Sequence, residues 1–289
     1  MPASKKSSLV NSQKKLGIIA GGGELPYRLV NACRENGQPY FIVAFEGQTD
    51  PTILPGSDYM ITRLGAAGRI LNTLKAPGIE DLVIIGSIRR PSLPELRPDM
   101  RTFRFFTKLG LRAMGDDSLL SALRRELEDE GFVIRGIQDY VPDLLAMEGD
   151  YSRVRPKKGD WQDIDRGIEV SQALGGLDVG QSVIVQEGLV LGVEAAEGTD
   201  ALISRCGGYK RKGRGGVLVK TCKPQQDQDL DLPTVGIRTL RMCQKAGLNG
   251  LVIHAYRSIL INPQEVAEYA NRNKMFVVGV DIDNYKPKS

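Results

Sequence analysis

The 289-residue chain has one histidine, His254, one tryptophan, Trp161, and four cysteines: Cys33, Cys206, Cys222 and Cys243. No two cysteines form a C-x-x-C pair, so zinc sites built on Cys and His spacing are disfavoured. A Ser-His-Asp or Cys-His apparatus would have to use His254. Scattered thiols suit a reducing compartment. No apolar run reaches the roughly 18 residues needed to span a bilayer. No apolar stretch follows the basic N-terminus, as a secretory signal would require. An excess of one charge is also missing. There are 39 Lys and Arg against 35 Asp and Glu, and Lys5, Lys6, Lys14 and Lys15 account for the net charge of +4. A neutral body disfavours a duplex nucleic-acid partner, which needs a broad basic surface. With 41% hydrophobic and 26% charged residues, the composition is that of a globular protein and not of a disordered or fibrous one. The sequence reads as a soluble cytoplasmic protein with no nucleic-acid partner.

What is present is an alternation of short apolar runs and helical patterns. Residues 16–20, 40–45, 59–62, 81–86 and 132–135 read as strands, and 24–35, 68–75 and 119–130 as helices. This order predicts a Rossmann-like α/β domain with a mainly parallel sheet, with ligands beyond the carboxyl ends of the strands. Residues 147–159 lack periodicity and hold Gly149, Pro156, Gly159 and four basic residues. A short linker over 149–159 is therefore expected, between domains at 14–148 and 160–289, with a disordered tail at 1–13. In the second domain, two strands flanking Glu187-Gly188 predict a hairpin within a mixed α/β unit.

Gly21-Gly22-Gly23 falls between a strand and a helix, where backbone N–H groups could meet a phosphate. A Rossmann fingerprint would need glycine at position 26, which is Pro26, so a tight packed turn is an equal reading. Ser87 and Arg89 follow another strand and suit an anion, with an exposed basic loop as the alternative. Residues 102–113 form a basic amphipathic pattern, fit for acidic lipid or for docking on the sheet. Asp227, Asp229 and Asp231 alternate between Pro224 and Pro233, so an extended chain would line them on one side for a cation. Glu194, Glu197 and Asp200 are a second acidic group. Arg205, Lys210, Arg211, Lys212 and Arg214 read as a flexible basic loop suited to a phosphorylated substrate. His254 reads as a satisfied core residue, Trp161 as a packing anchor, and the cysteines as buried.

Several segments together carry a resemblance. They are Leu16-Gly-Ile-Ile-Ala-Gly-Gly-Gly-Glu-Leu-Pro26, Gly86-Ser-Ile-Arg-Arg-Pro91, Leu96-Arg-Pro-Asp99, Gly115-Asp-Asp-Ser-Leu119, Glu194-Ala-Ala-Glu-Gly-Thr-Asp200, Lys223-Pro224 and Asp231-Leu-Pro-Thr-Val-Gly236. In order and spacing, over roughly residues 15–283, the chain resembles the two-domain UDP-2,3-diacylglucosamine diphosphatases of lipid A synthesis. The resemblance implies two α/β domains on a short linker with the lipid product held between them. It implies Mg²⁺-dependent cleavage to UMP and 2,3-diacylglucosamine 1-phosphate. It further implies Asp231 as the catalytic acid, while Asp227 and Asp229 match the family pattern less closely. From the two acidic groups, Asp200 is expected as a second catalytic residue, and Asp231, Asp229 and Glu197 as metal ligands. Gly21, Gly22, Gly23, Ser87, Arg89, Thr199 and Lys223 are then expected to bind the lipid-linked UDP-sugar. Phe103, Phe105, Phe106, Leu109 and Leu111 are the candidates for acyl-chain contact. Transient contact with the cytoplasmic surface of the inner membrane is expected, and a homodimer stays open. A non-catalytic nucleotide-sugar or acyl-lipid binding protein is the alternative, separated from the enzyme by Mg²⁺-dependent UMP release. A nicotinamide dehydrogenase is a further rival, which Pro26 opposes.

Overall fold

The computed structural model describes residues 14–76, 78–89, 93–109 and 116–288. The tail at 1–13 and residues 110–115, including Leu111, lie outside them. The elements run β1 Leu16–Ala20, α1 Glu24–Glu35, β2 Tyr40–Phe45, β3 Asp58–Thr62, α2 Ala67–Lys75, β4 Asp81–Ile85, α3 Leu93–Leu96, α4 Met100–Leu109, α5 Asp116–Asp129 and β5 Val133–Ile134. They continue as β6 Gly149–Asp150, α6 Lys158–Gly176, β7 Ser182–Gln186, β8 Leu189–Val193, α7 Gly198–Gly207, β9 Val217–Lys220, β10 Thr234–Val235 and α8 Ile237–Lys245. β11 Gly250–His254, β12 Ile259–Leu260, α9 Pro263–Arg272 and β13 Phe276–Val280 complete the chain. It divides into two compact units, one ending at Pro142 and the next beginning at Asp143.

The first unit has a parallel sheet in the order β3-β2-β1-β4-β5. Every residue of β1 is buried, which fits a strand covered on both faces and its unbroken apolar run. Strand order reverses between β1 and β4, the place where ligands gather in such sheets. The motif ending in Asp99 has a structural job here. Asp99 accepts N–H bonds from Thr102 and from Gly68, both at 2.8 Å, and so satisfies donors at the starts of α4 and α2.

The second unit has a mixed sheet in the order β6-β13-β11-β9-β7-β8. β9, β11 and β13 are parallel, and β7, β8 and β6 are antiparallel additions. The expected hairpin is β7–β8, with Glu187 and Gly188 at φ 51° and 77°, the left-handed pair such a two-residue turn requires. Alternation along β9 sorts its residues between two cores. Val217 and Val219 pack with Ile164 and Ile168 of α6, while Leu218 packs with Leu202 and Ile203 of α7 and Leu240 of α8. Lys220 therefore falls on the side of Leu218.

The linker expectation is corrected. Gly149 and Asp150 pair with Gly279 and Val278 at the sheet edge, Val154 bridges to Phe276, and α6 begins at Lys158. A two-residue edge strand is too short to leave a periodic signature, which is why this stretch read as unstructured. All four cysteines are free and buried, as expected.

Candidate functional site

In the first unit the glycine loop leaves β1 beside the loop that leaves β4. Gly22 and Ser87 exchange backbone hydrogen bonds at 2.8 and 2.9 Å. A Cβ on Gly21 would meet the Ser87 carbonyl oxygen at 2.6 Å, and one on Gly22 the Gln48 carbonyl oxygen at 2.8 Å. These two glycines are thus required by the crossing of two backbones, which is the packing alternative of the sequence reading. Gly23 differs: it has φ 93°, opens α1 and has open space around it. Exposed Ser87 and Arg89 follow β4, and Gln48 accepts the Arg89 backbone N–H at 2.7 Å. The switch point thus assembles Gly21–Gly23, Ser87 and Arg89, with Gly23, Ser87 and Arg89 on its open side. The first turn of α1 also carries Glu24, ion-paired to Arg28, which works against an anion seated directly on that helix end.

In the second unit the carboxyl ends of β9, β11 and β13 share an edge with the start of β7, since Ser182 pairs with Lys220. Glu194 follows β8 directly and is tied to the same edge by its N–H to the Ser182 carbonyl at 2.8 Å. At this edge lies Lys220, only 8% exposed. Its Nζ donates to Thr199 Oγ1 at 3.1 Å and to the Thr234 carbonyl at 3.3 Å. Thr199 Oγ1 donates in turn to Glu194 Oε1 at 2.9 Å. Glu194 is 7% exposed, and its Oε2 has no hydrogen-bond partner among the described residues. Burial pushes the Lys220 ammonium below the ordinary lysine value, while Glu194, Asp231 and Asp200 pull it back up. Thus Thr199 bonds, and Asp231 and Asp200 act electrostatically on, a lysine that sequence patterning does not single out. The signal was there, in a charged residue closing the apolar run Val-Leu-Val at 217–219.

The acidic loop is not extended. Asp227 Oδ1 accepts N–H bonds from Asp229 at 3.0 Å and Leu230 at 3.3 Å, and Asp231 N–H returns to the Asp227 carbonyl at 2.9 Å. A side chain that satisfies its own backbone favours such a turn over a strand. The period-two alignment of the three acids therefore fails, and Asp231 Oδ2 takes a bond from Gln226 Nε2 at 2.6 Å.

Other predicted site residues are engaged elsewhere. Arg205 pairs with Glu197 at 2.8 Å and holds its carboxyl below the usual range. Lys223 pairs with Asp178 at 2.5 Å. The expected trio Asp231, Asp229 and Glu197 does not form a metal cage, and among the described residues no three His, Cys, Asp or Glu side chains are grouped for one. The basic loop is anchored by Arg214, which pairs with Asp163 at 2.8 Å and Asp160 at 3.1 Å, beneath the hairpin. One end of the loop is thus fixed, while Lys210, Arg211 and Lys212 stand exposed.

His254 is half satisfied. Its Nδ1 accepts the Cys222 N–H at 3.2 Å, which places its proton on Nε2, where no hydrogen-bond partner lies among the described residues and Asp283 Oδ1 stands at 3.7 Å. Burial pushes its pKa down to about 4 from 6.5, against the opposing pull of Asp283. Between these values the unfolded chain holds a proton that the folded chain lacks, so stability falls as pH falls across that window. The effect is about 3 kcal/mol at most. His254→Leu is expected to show a shallower loss of Tm between pH 6.5 and 4, and parallel profiles would contradict this.

Residues 15–144 match the family model described as the LpxI N-terminal domain, and residues 147–278 match the LpxI C-terminal domain. A protein of Caulobacter vibrioides (strain ATCC 19089 / CIP 103742 / CB 15), named UDP-2,3-diacylglucosamine pyrophosphatase LpxI, is 37% identical over 277 residues, covering 93% of this chain and 98% of that protein. Among solved structures, the biotin carboxylase subunit of pyruvate carboxylase aligns at 16% identity and TM-score 0.22, over 58% of this chain and 34% of that one, a likeness too slight to argue from.

Proposed function

The chain belongs to the LpxI family, and from that premise we propose that it hydrolyses the diphosphate of UDP-2,3-diacylglucosamine to UMP and 2,3-diacylglucosamine 1-phosphate, a step of lipid A biosynthesis. The observation that carries this reading is the near full-length match, over both domains, to a relative whose name states the substrate and the reaction. Water adds to one phosphorus, the bridging P–O bond breaks, and each phosphorus leaves in a monophosphate. Such a reaction asks the protein for charge neutralisation and an oriented water, and for little covalent chemistry.

Mg²⁺ belongs to the same proposal. It is usually held by one or two carboxylates together with substrate phosphates, so a three-residue cage is not needed. The buried Oε2 of Glu194, without a partner among the described residues, fits that role, with Asp231, which acts electrostatically on Lys220, proposed as the second carboxylate. Mg²⁺ there would neutralise the diphosphate. Asp231 orients the water, and Asp200, ion-paired with Arg238 at 2.7 Å, adds to the negative field around Lys220. In the first unit, Gly23, Ser87 and Arg89 form a separate open switch-point site suited to an anionic group. A membrane-resident substrate is also consistent with α4, where Met100 and Phe103 stand exposed beside Arg104 and Lys108. Such a face suits peripheral contact with an anionic lipid surface.

The test is UMP release from UDP-2,3-diacylglucosamine by the purified full chain, with Mg²⁺ and with EDTA. Release that requires Mg²⁺ is expected. Absence of UMP overturns the activity, and release undiminished by EDTA overturns the metal.

A further inference from the structure

We propose that Lys220 is a further catalytic residue of this site, donating its remaining N–H to an oxygen of the diphosphate that is cleaved. The inference rests on the diphosphatase reading above.

The geometry carries it in three steps. An ammonium has three N–H donors. Two of those on Lys220 are used, by Thr199 Oγ1 and the Thr234 carbonyl, and the third has no partner among the described residues. Next, the two bonds that exist are oriented. Thr199 Oγ1 gives its own hydrogen to Glu194 Oε1, so it faces Lys220 as an acceptor, and Ser182 Oγ lies 3.2 Å from the same oxygen. Thr199 sits in the first turn of α7, while Thr234 opens β10. The ammonium is thus gripped by two separate elements, and little rotational freedom is left to the free N–H. Lastly, a buried lysine is costly unless something repays its desolvation. Three carboxylates are in electrostatic reach, yet none accepts a hydrogen bond from it, and Glu194, the most buried of them, keeps one oxygen unpartnered. A structural ion pair would be expected to close those contacts. An unfilled donor and an unfilled acceptor, joined through Thr199 and both more than nine-tenths buried, instead suit an incoming group that brings oxygens to the lysine. It must also bring a cation or hydrogens to the carboxylate. A metal-bound diphosphate does both. Its developing charge would be met by a fixed N–H in a site of low dielectric, where such a contact gains strength.

The test uses the full chain, as wild type, Lys220→Met and Lys220→Arg, with thermal melts as the folding control. Two quantities are read: single-turnover UMP release from UDP-2,3-diacylglucosamine, and affinity for UDP, which carries the diphosphate without the lipid. Loss of a preorganised donor predicts a fall in UMP release on the order of 100-fold in Lys220→Met. UDP affinity should weaken tenfold or more. Should Lys220→Met fail to fold, Lys220→Arg decides. It keeps the charge among the carboxylates but moves the donor atoms into a planar fork, so both quantities should again fall at least tenfold. A folded variant that releases UMP within tenfold of wild type overturns the proposal. Unchanged UDP affinity overturns it too, and leaves Lys220 a structural cation. If wild type releases no UMP, the diphosphatase reading fails, and UDP affinity still reports on the lysine contact.

Discussion

Asp231→Ala is expected to fold normally and to lose UMP release by 10³-fold or more, about 4 kcal/mol of barrier. The fold should persist because Asp231 is only half-buried and has one side-chain hydrogen bond among the described residues, to Gln226, whose amide can turn to water. The loss should fall on the chemical step, because Asp231 acts electrostatically on Lys220, where the diphosphate is proposed to react. Substrate affinity should hold or improve, since a negative charge facing a diphosphate has gone. Asp227→Ala is the contrasting variant. Its carboxylate serves the turn through the Asp229 and Leu230 N–H groups, so its removal should cost about 1 kcal/mol of local stability, as loss of a cap does, with a smaller kinetic effect. Single-turnover UMP release with melts of both proteins checks the pair. Near wild-type turnover by a folded Asp231→Ala protein would show that the catalytic acid lies elsewhere.

Arg214→Met should be the most destabilising of these substitutions. Arg214 is the cation for Asp163, fully buried, and Asp160, 4% exposed. It also donates to the Gly159 carbonyl at 2.7 Å, while Asp163 accepts the Gly188 N–H of the hairpin turn at 2.7 Å. The network therefore joins the start of α6, the β7–β8 turn and the basic loop. Removing one partner of a buried ion pair leaves an uncompensated charge, at a cost of roughly 3–5 kcal/mol. For a unit of this size that lowers Tm by about 10 °C. Arg214→Lys, which keeps the charge but not the fork, should lose less. A melt of Arg214→Met within about 2 °C of wild type would mean that the loop and helix are held by other contacts.

These two substitutions mark the boundary between what was readable and what was not. Parallel strands covered on both faces leave unbroken apolar runs, as at Leu16–Ala20, and a two-residue hairpin needs left-handed backbone, as at Glu187-Gly188. Local rules of that kind placed the longer strands, the hairpin, the buried cysteines and the glycine turn, but not the two-residue strands β6, β10 and β12. The order of motifs along the chain named the family. Long-range pairing was out of reach of such rules. Nothing local marks Gly149-Asp150 as an edge strand, because its partner lies about 130 residues away at Val278 and Gly279. Five basic residues in a glycine-rich stretch read as a free loop because Asp160 and Asp163, which hold Arg214, stand some 50 residues earlier. The acids at 227, 229 and 231 read as a ladder until Asp227 bonded its own backbone. Lys220 looked like the polar end of a strand. Only the tertiary structure set it against Thr199, Thr234 and three carboxylates from separate segments, because the sheet edge gathers what the chain keeps apart.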